Sequence, residues 1–236
     1  MARVSILLVL AITSTGCAEA GESVADCDAN PKKLGLHFTV TRQHDEGDAR
    51  KSLVQHIQLW RRDRQVAYVH EERELTEIWD LVSDGRQKLV RYFDAYKRAI
   101  EYQPEDVDTE SGPDAWSERT QIVSESKRGG MTLSTTEGTA CERVEVYTSR
   151  IDDRSRLRWR PALQAVETLE FRTDDGDITW SLDSVITDPA VVDEQFLARA
   201  RYQTTDFVDI GDNESDPWLQ KMINIGFIDD AHGHEH

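Results

Sequence analysis

Four arginines, Arg154, Arg156, Arg158 and Arg160, stand at every second position. In a strand this spacing turns all four guanidinium groups to one face and Leu157 and Trp159 to the other. A guanidinium grips phosphate or carboxylate bidentately, so the stripe can serve lipid head-groups or an acidic envelope partner. The plainer alternative is a solvated outer face, with Glu142, Glu145, Glu167 or Glu170 on neighbouring strands neutralising the cations. The C-terminus offers a second chemistry. His232, His234 and His236, with Glu235 among them, put three imidazoles and a carboxylate within five residues. Neutral imidazole suits Zn²⁺, Ni²⁺ or Cu²⁺. A flexible tail preorganises no geometry, so a weakly bound divalent metal is the most this set supports, and no other cofactor is expected. A frayed, solvated terminus explains the same residues.

Other constellations are incomplete. His70-Glu71-Glu72-Arg73-Glu74 opens like the zincin motif but has Glu74 where the second His belongs. It also falls at a strand end, away from the one-face helical geometry that motif requires, and reads as a charged turn. The segment from Asp206 to Asp216 holds enough oxygens for Ca²⁺ but lacks EF-hand spacing. A loop that caps a final helix through Asp216 accounts for it. G-x-S-x-G, the P-loop and G-x-G-x-x-G are absent. No catalytic residue is assigned, and a non-enzymatic protein is expected.

The three cysteines bear on where the chain works. Arg3 and the apolar run of nine from Val4 to Ile12 form a secretory signal, too short to span a bilayer of roughly 30 Å. Ser14-Thr15-Gly16-Cys17 resembles the bacterial lipobox, which makes Cys17 the lipidated mature N-terminus and the anchor the chain's link to the membrane. By the family rule, Ala18 after that Cys favours the outer membrane. The alternative is cleavage at Ala18-Glu19-Ala20, releasing a soluble periplasmic protein. Both readings export the chain and place its signal peptide within residues 1–20, cleaved before Cys17 or after Ala20. Cys27 and Cys141 then remain, and in an oxidising compartment they are most simply one disulfide, contributing ~4 kcal/mol at best. Two unrelated thiols are the alternative. No C-x-x-C occurs, which argues against thioredoxin-like redox work.

Composition sets the frame for these residues. In 236 residues, 45 Asp+Glu against 28 Lys+Arg give a net charge of −17, the wrong sign for binding a phosphate backbone, so no nucleic-acid partner is expected. Short alternating runs separated by polar turns indicate an antiparallel meander. They cover 36–40, 53–60, 65–70, 76–82, 88–93 and 98–102. After them, 114–124 reads as a short helix and 124–140 as a mobile Ser/Thr/Gly-rich connection. Strands resume at 143–149, 156–160 and 162–172, and the hairpin across 173–177 leads to Ile178, Trp180 and Leu182 on one face. Asp188-Pro189 and Asp216-Pro217 each announce a helix, with Asp as the cap and Pro at the first position. The expected layout is a single β-rich domain over 27–228 and a flexible His-rich tail over 229–236. No internal repeat is visible.

Two stretches carry a resemblance. One runs from Arg64 to His70, Glu77 to Gly85 and Arg91-Tyr92-Phe93-Asp94, with its Val82-Ser83-Asp84-Gly85 turn. The other is Trp159-Arg160-Pro161-Ala162-Leu163-Gln164 and the hairpin that follows. Together, across about residues 34–187, the chain resembles the LolA/LolB/RseB-like half-barrel superfamily. The resemblance implies a half-open curved antiparallel sheet, closed by C-terminal helices, with a hydrophobic cavity for acyl chains or an envelope partner. It brings no catalytic residues. The acidic C-terminal segment and His-rich end depart from it. Of the six Trp, Trp79, Trp159 and Trp180 are the candidates to line that cavity, with plain core packing as the alternative.

Overall fold

β-branched and aromatic side chains at alternate positions commit most of this chain to strands, and tight polar turns pair each strand with the next. The computed structural model describes residues 29–46, 49–82, 85–107, 112–150, 155–173, 176–211 and 215–224. The N-terminal strands are β1 (Lys33–Glu46), β2 (Ala49–Arg62), β3 (Gln65–His70), β4 (Leu75–Leu81), β5 (Gln87–Phe93) and β6 (Arg98–Tyr102). Helices α1 (Pro113–Gln121) and α2 (Glu125–Gly129) follow. Then come β7 (Thr132–Glu137), β8 (Val144–Thr148), β9 (Arg156–Arg160), β10 (Ala165–Thr173) and β11 (Gly176–Ile186). The chain continues through α3 (Pro189–Leu197), β12 (Gln203–Asp206) and α4 (Pro217–Asn224).

All twelve strands join one sheet in the order β12-β6-β5-β4-β3-β2-β1-β11-β10-β9-β8-β7. The two end strands do not meet, so the curved sheet stays unclosed, as the sequence leads one to expect. β1 joins its halves, pairing with β2 on one side and with β11 on the other. β12 lies parallel to β6, while the other neighbours are antiparallel. Gly35 on β1 faces Trp60 on β2. A Cβ there would fall 2.3 Å from the indole, so only glycine leaves the ring its place.

The two faces are covered differently. One face carries Leu34, Leu36, Phe38, Ile57, Leu59, Leu157 and Trp159, buried beneath α1 and α2 through Trp116, Ile122 and Val123. Toward β6 the same face continues through Trp79, Leu89, Phe93 and Tyr102, where Phe207, Trp218 and Leu219 of the C-terminal segment pack. The opposite face holds Trp60, Ala67, Val69 and Ile78 against Val192 and Phe196 of α3. Thus α4 is the C-terminal helix that closes the apolar face. α3 lies on the outer one, and the helix pair from mid-chain does the rest.

Both Asp-Pro signals start helices. Asp188 Oδ1 accepts from the Ala190 amide at 2.8 Å, and Asp216 Oδ1 from the Trp218 amide at 2.8 Å. The other oxygen of Asp216 takes Arg98 at 2.8 Å, and this guanidinium holds the carboxyl below its ordinary range. The stretch 124–140 is structured rather than a mobile connection. Ser124 caps α2, and its tail of β-branched threonines pairs with β8 as strand β7. A repeated corner also escapes the sequence. Short 3-10 turns at Glu71–Arg73, Asp94–Tyr96 and Pro161–Leu163 each end on a left-handed residue, Glu74, Lys97 and Gln164, with φ of 48°, 50° and 48°. Their sequences share no residue pattern, which is why no repeat is legible.

Candidate functional site

Cross-strand register builds the centre of the site. Leu34, Arg61, Val66, Trp79, Leu89 and Tyr102 lie in one row across β1 to β6, on the face beneath α1. Five of the six are apolar or aromatic, and Arg61 sits among them at 4% exposure. Its Nη1 donates to the carbonyls of Pro31 (3.2 Å) and Leu163 (2.8 Å), and its Nη2 to that of Gln164 (2.9 Å). Burial draws its pKa down to about 10. In the adjoining row Tyr68, Glu77 and Arg91 stand side by side. Arg91 bonds Glu77 at 2.9 Å, and the Tyr68 hydroxyl donates to the Arg119 carbonyl at 2.6 Å. Burial pushes that phenol up to about 12, so it stays a donor.

A cavity of about 700 Å³ opens at this end of the sheet. Trp116, Ser117, Thr120 and Gln121 line it from α1, while Arg61, Asp63, Arg64 and Gln65 line it from the β2–β3 turn. Lys32, Leu81 and Gln164 complete the mouth. This volume falls within the usual span for small-molecule pockets, and a mostly apolar wall with a few charged groups is their usual chemistry.

The helices over the apolar face are held by cations on aromatic rings. Arg119 of α1 lies 3.6 Å above the Trp79 ring, and Arg128 of α2 lies 4.6 Å above Trp159. Both indoles are nearly fully buried, so two of the three tryptophans singled out from the sequence lie under the helices rather than along the cavity. Trp180 stands further along the same face, edge-on to Phe38 at 5.8 Å. With Leu169, Ile178 and Leu182 it forms a half-buried apolar strip beyond the helix pair. The tryptophan that does line the cavity is Trp116.

The arginine stripe lies on the outer face of β9, opposite Leu157 and Trp159. Arg158 is neutralised by Glu167 at 2.7 Å and Glu137 at 3.0 Å, Arg156 faces Glu170 across β10, and Arg160 is half-buried. Arg154 lies outside the described residues. So do Cys17, Cys27 and the tail with His232, His234 and His236. Cys141 sits in the short turn between β7 and β8. Among the described residues no group of three His, Cys, Asp or Glu side chains is placed to hold a metal, and no helix is long and apolar enough to cross a membrane. His70 ends β3, and the acids after it bond back to β2: Glu71 accepts from Gln58 at 2.6 Å and Glu72 from the His56 amide at 2.8 Å. The zincin-like run is a turn. Arg61 was not among the residues singled out from the sequence. The signal was present: the alternation Ile57, Leu59 continues to Arg61 on the same apolar face.

No protein-family model and no curated protein matches the chain. Among solved structures it is similar to a LolA superfamily protein from Nitrosomonas europaea, with TM-score 0.34 and 7% identity over 68% of this chain and 89% of that one. It is also similar to a DUF1329 family protein from Desulfovibrio piger, with TM-score 0.33 and 8% identity over 70% and 90% of the two chains. A third similarity is to MucB, with TM-score 0.28 and 13% identity over 69% of this chain and 56% of MucB. These likenesses are too slight to carry an argument. The open half-barrel is read from the sheet itself, twelve strands in one unclosed order.

Proposed function

We propose that this chain is a non-enzymatic envelope protein that holds a hydrophobic ligand, such as the acyl chain of a lipid or lipoprotein, between the half-barrel and its helices. The observation that carries the reading is the cavity of about 700 Å³ between α1 and the sheet. Trp116, which lines it, also packs on the apolar face, whose side chains continue, half-buried, through Ile178, Trp180 and Leu182. Such a face costs free energy in water and gains it when a chain of methylenes covers it, about 0.8 kcal/mol per buried CH₂. α1 and α2 rest on the sheet through Trp116, Ile122 and Val123, together with two cation–ring contacts and one hydroxyl bond, the last three each worth about 1 kcal/mol. In this reading residues 27–228 form the binding domain and the export signal delivers it to the periplasm. Cys27 and Cys141 close a disulfide there, and Cys17 tethers the chain to the outer membrane.

Native mass spectrometry of the protein drawn gently from the periplasm, without nickel chromatography, tests the reading. Expected is an added mass matching a lipid, together with saturable uptake of a dansylated fatty acid once that lipid is stripped. A bare mass with no uptake overturns it. An added mass of one divalent metal, lost on deleting 232–236, would instead favour metal handling by the tail.

A further inference from the structure

Arg61 is a cation in the wrong surroundings for a structural one. Its row-mates on neighbouring strands are apolar or aromatic, it is 4% exposed, and no carboxylate bonds it. Three backbone carbonyls take part of its donor set, while its Nε, itself buried, has no partner. A guanidinium carries five N–H groups, so the Nε edge and one further hydrogen are unspent. Carbonyl dipoles satisfy hydrogen bonds without cancelling a charge, and a buried uncompensated charge is strongly disfavoured. The side chain lines the cavity, and two more cations, Lys32 and Arg64, line the same mouth. Neither has a carboxylate partner: Arg64 spends its donors on the carbonyls of Leu81 and Val82, and Lys32 is exposed. Asp63 and Glu125 also line it, so the mouth holds three cations and two acids in a chain of net charge −17.

We propose that the cavity takes an amphiphile by its anionic head, with Arg61 receiving the oxyanion, carboxylate or phosphate, and Lys32 and Arg64 drawing it in at the mouth. This rests on the hydrophobic-ligand reading and adds the chemistry of the head. The head takes the unspent N–H edge of Arg61 and supplies the missing counter-charge, while the tail runs past Trp116 toward the apolar face. Burial lowers the guanidinium pKa only to about 10, so the cation is present at neutral pH to receive it.

The test is calorimetric titration of the delipidated full chain with dodecanoate, dodecyl phosphate, 1-dodecanol and inorganic phosphate, each below its aggregation threshold. Expected is a preference for the two anionic amphiphiles over dodecanol of about tenfold or more, narrowing as salt is raised. Arg61→Gln should erase the preference. Because that change also removes carbonyl contacts, Lys32→Glu at an exposed position serves as the second variant. It should weaken the anionic amphiphiles about threefold and leave dodecanol unchanged. A lead of dodecyl phosphate over dodecanoate points to a phospholipid head, and the reverse lead to a free fatty acid; either supports the site. Dodecanol binding as tightly as the anions overturns the anion site and leaves the hydrophobic-ligand reading standing. Inorganic phosphate binding as tightly as dodecyl phosphate overturns the amphiphile. If none of the four binds, both readings fall.

Discussion

Arg199 grips both carboxylate oxygens of Asp94, through Nε at 2.8 Å and Nη2 at 3.0 Å. Tyr202 adds a hydroxyl at 3.1 Å and Thr76 another at 2.7 Å. Asp94 begins one of the tight corners of the sheet, and Arg199 follows α3, so this knot fastens the C-terminal segment to the β5–β6 end. It is what lets β12 lie beside β6 and α4 return over the apolar face.

Truncating Arg199 to Ala leaves Asp94 with its hydroxyl partners alone in a largely buried place. The expected cost is about 2 kcal/mol of stability, read as a lower urea midpoint with an unchanged m-value. Asp94→Asn keeps an acceptor for one of the two hydroxyls, which bond different oxygens of Asp94, and should cost less than Asp94→Ala. Equal costs for the two Asp94 variants would mean that the ion pair, not the hydroxyl network, dominates.

Gly35 carries a prediction of opposite kind, because there the cost comes from adding an atom. The added methyl of Gly35→Ala would meet the Trp60 ring at 2.3 Å. Trp60 is buried against α3 residues and cannot swing away freely. Overpacking of this sort costs about 1–3 kcal/mol. A melting temperature within a degree of the parent would show that the indole finds another seat.

Much of this architecture was legible because the signals are local. Alternation from Leu36 to Val40 and from Leu53 to Trp60 marks β1 and β2, and the Asp-Pro pairs mark α3 and α4 to the residue. β7 and β12 were not legible. Thr132–Glu137 and Gln203–Asp206 are short and polar, and they are strands only because β8 and β6 offer them an edge. The site was half legible. Trp79 and Trp159 do lie on the apolar face, but the arginines above them are set by how α1 and α2 dock. That docking depends on contacts between residues about 30–40 positions apart in the chain, such as Arg119 with Trp79 and Arg128 with Trp159. Arg61 was hidden for a related reason. In the run Arg61-Arg62-Asp63-Arg64 it looks like turn chemistry, and only the register with Leu34 and Val66 shows that it is buried.

The clamp between Arg119 and Trp79 yields a prediction about access. Arg119→Ala removes the cation from the ring while leaving the backbone carbonyl that receives Tyr68, so about 1 kcal/mol of helix docking is lost. Adding Arg128→Ala should roughly double that loss, since the two clamps touch different tryptophans. Limited proteolysis within 112–131 is expected to quicken in the single variant and further in the double. Unchanged cleavage in both would mean that Trp116, Ile122 and Val123, not the arginines, hold the helices down.

Acidity should loosen the fold well before the carboxylates titrate. Burial lowers the pKa of His70, outweighing Glu77 and Glu72, which raise it, while Arg73 and Arg91 lower it further. Burial likewise lowers the pKa of His37, against the pull of Glu71 and Asp183. Both imidazoles therefore take a proton more readily in the unfolded chain, whose histidines titrate near the ordinary 6.5. Between that value and the lower folded-state values the unfolded chain binds more protons, so stability falls as pH drops through this window. The acids whose pKa is lowered in the fold, Glu72, Asp114 and Asp216, act in the same direction but only further down, near and below their ordinary values of 4.5 and 3.8. Urea midpoints measured from pH 7.5 to 5 should decline, and the decline should flatten in His37→Gln/His70→Gln. A slope that survives the double substitution would move the cause to other groups that titrate in this window.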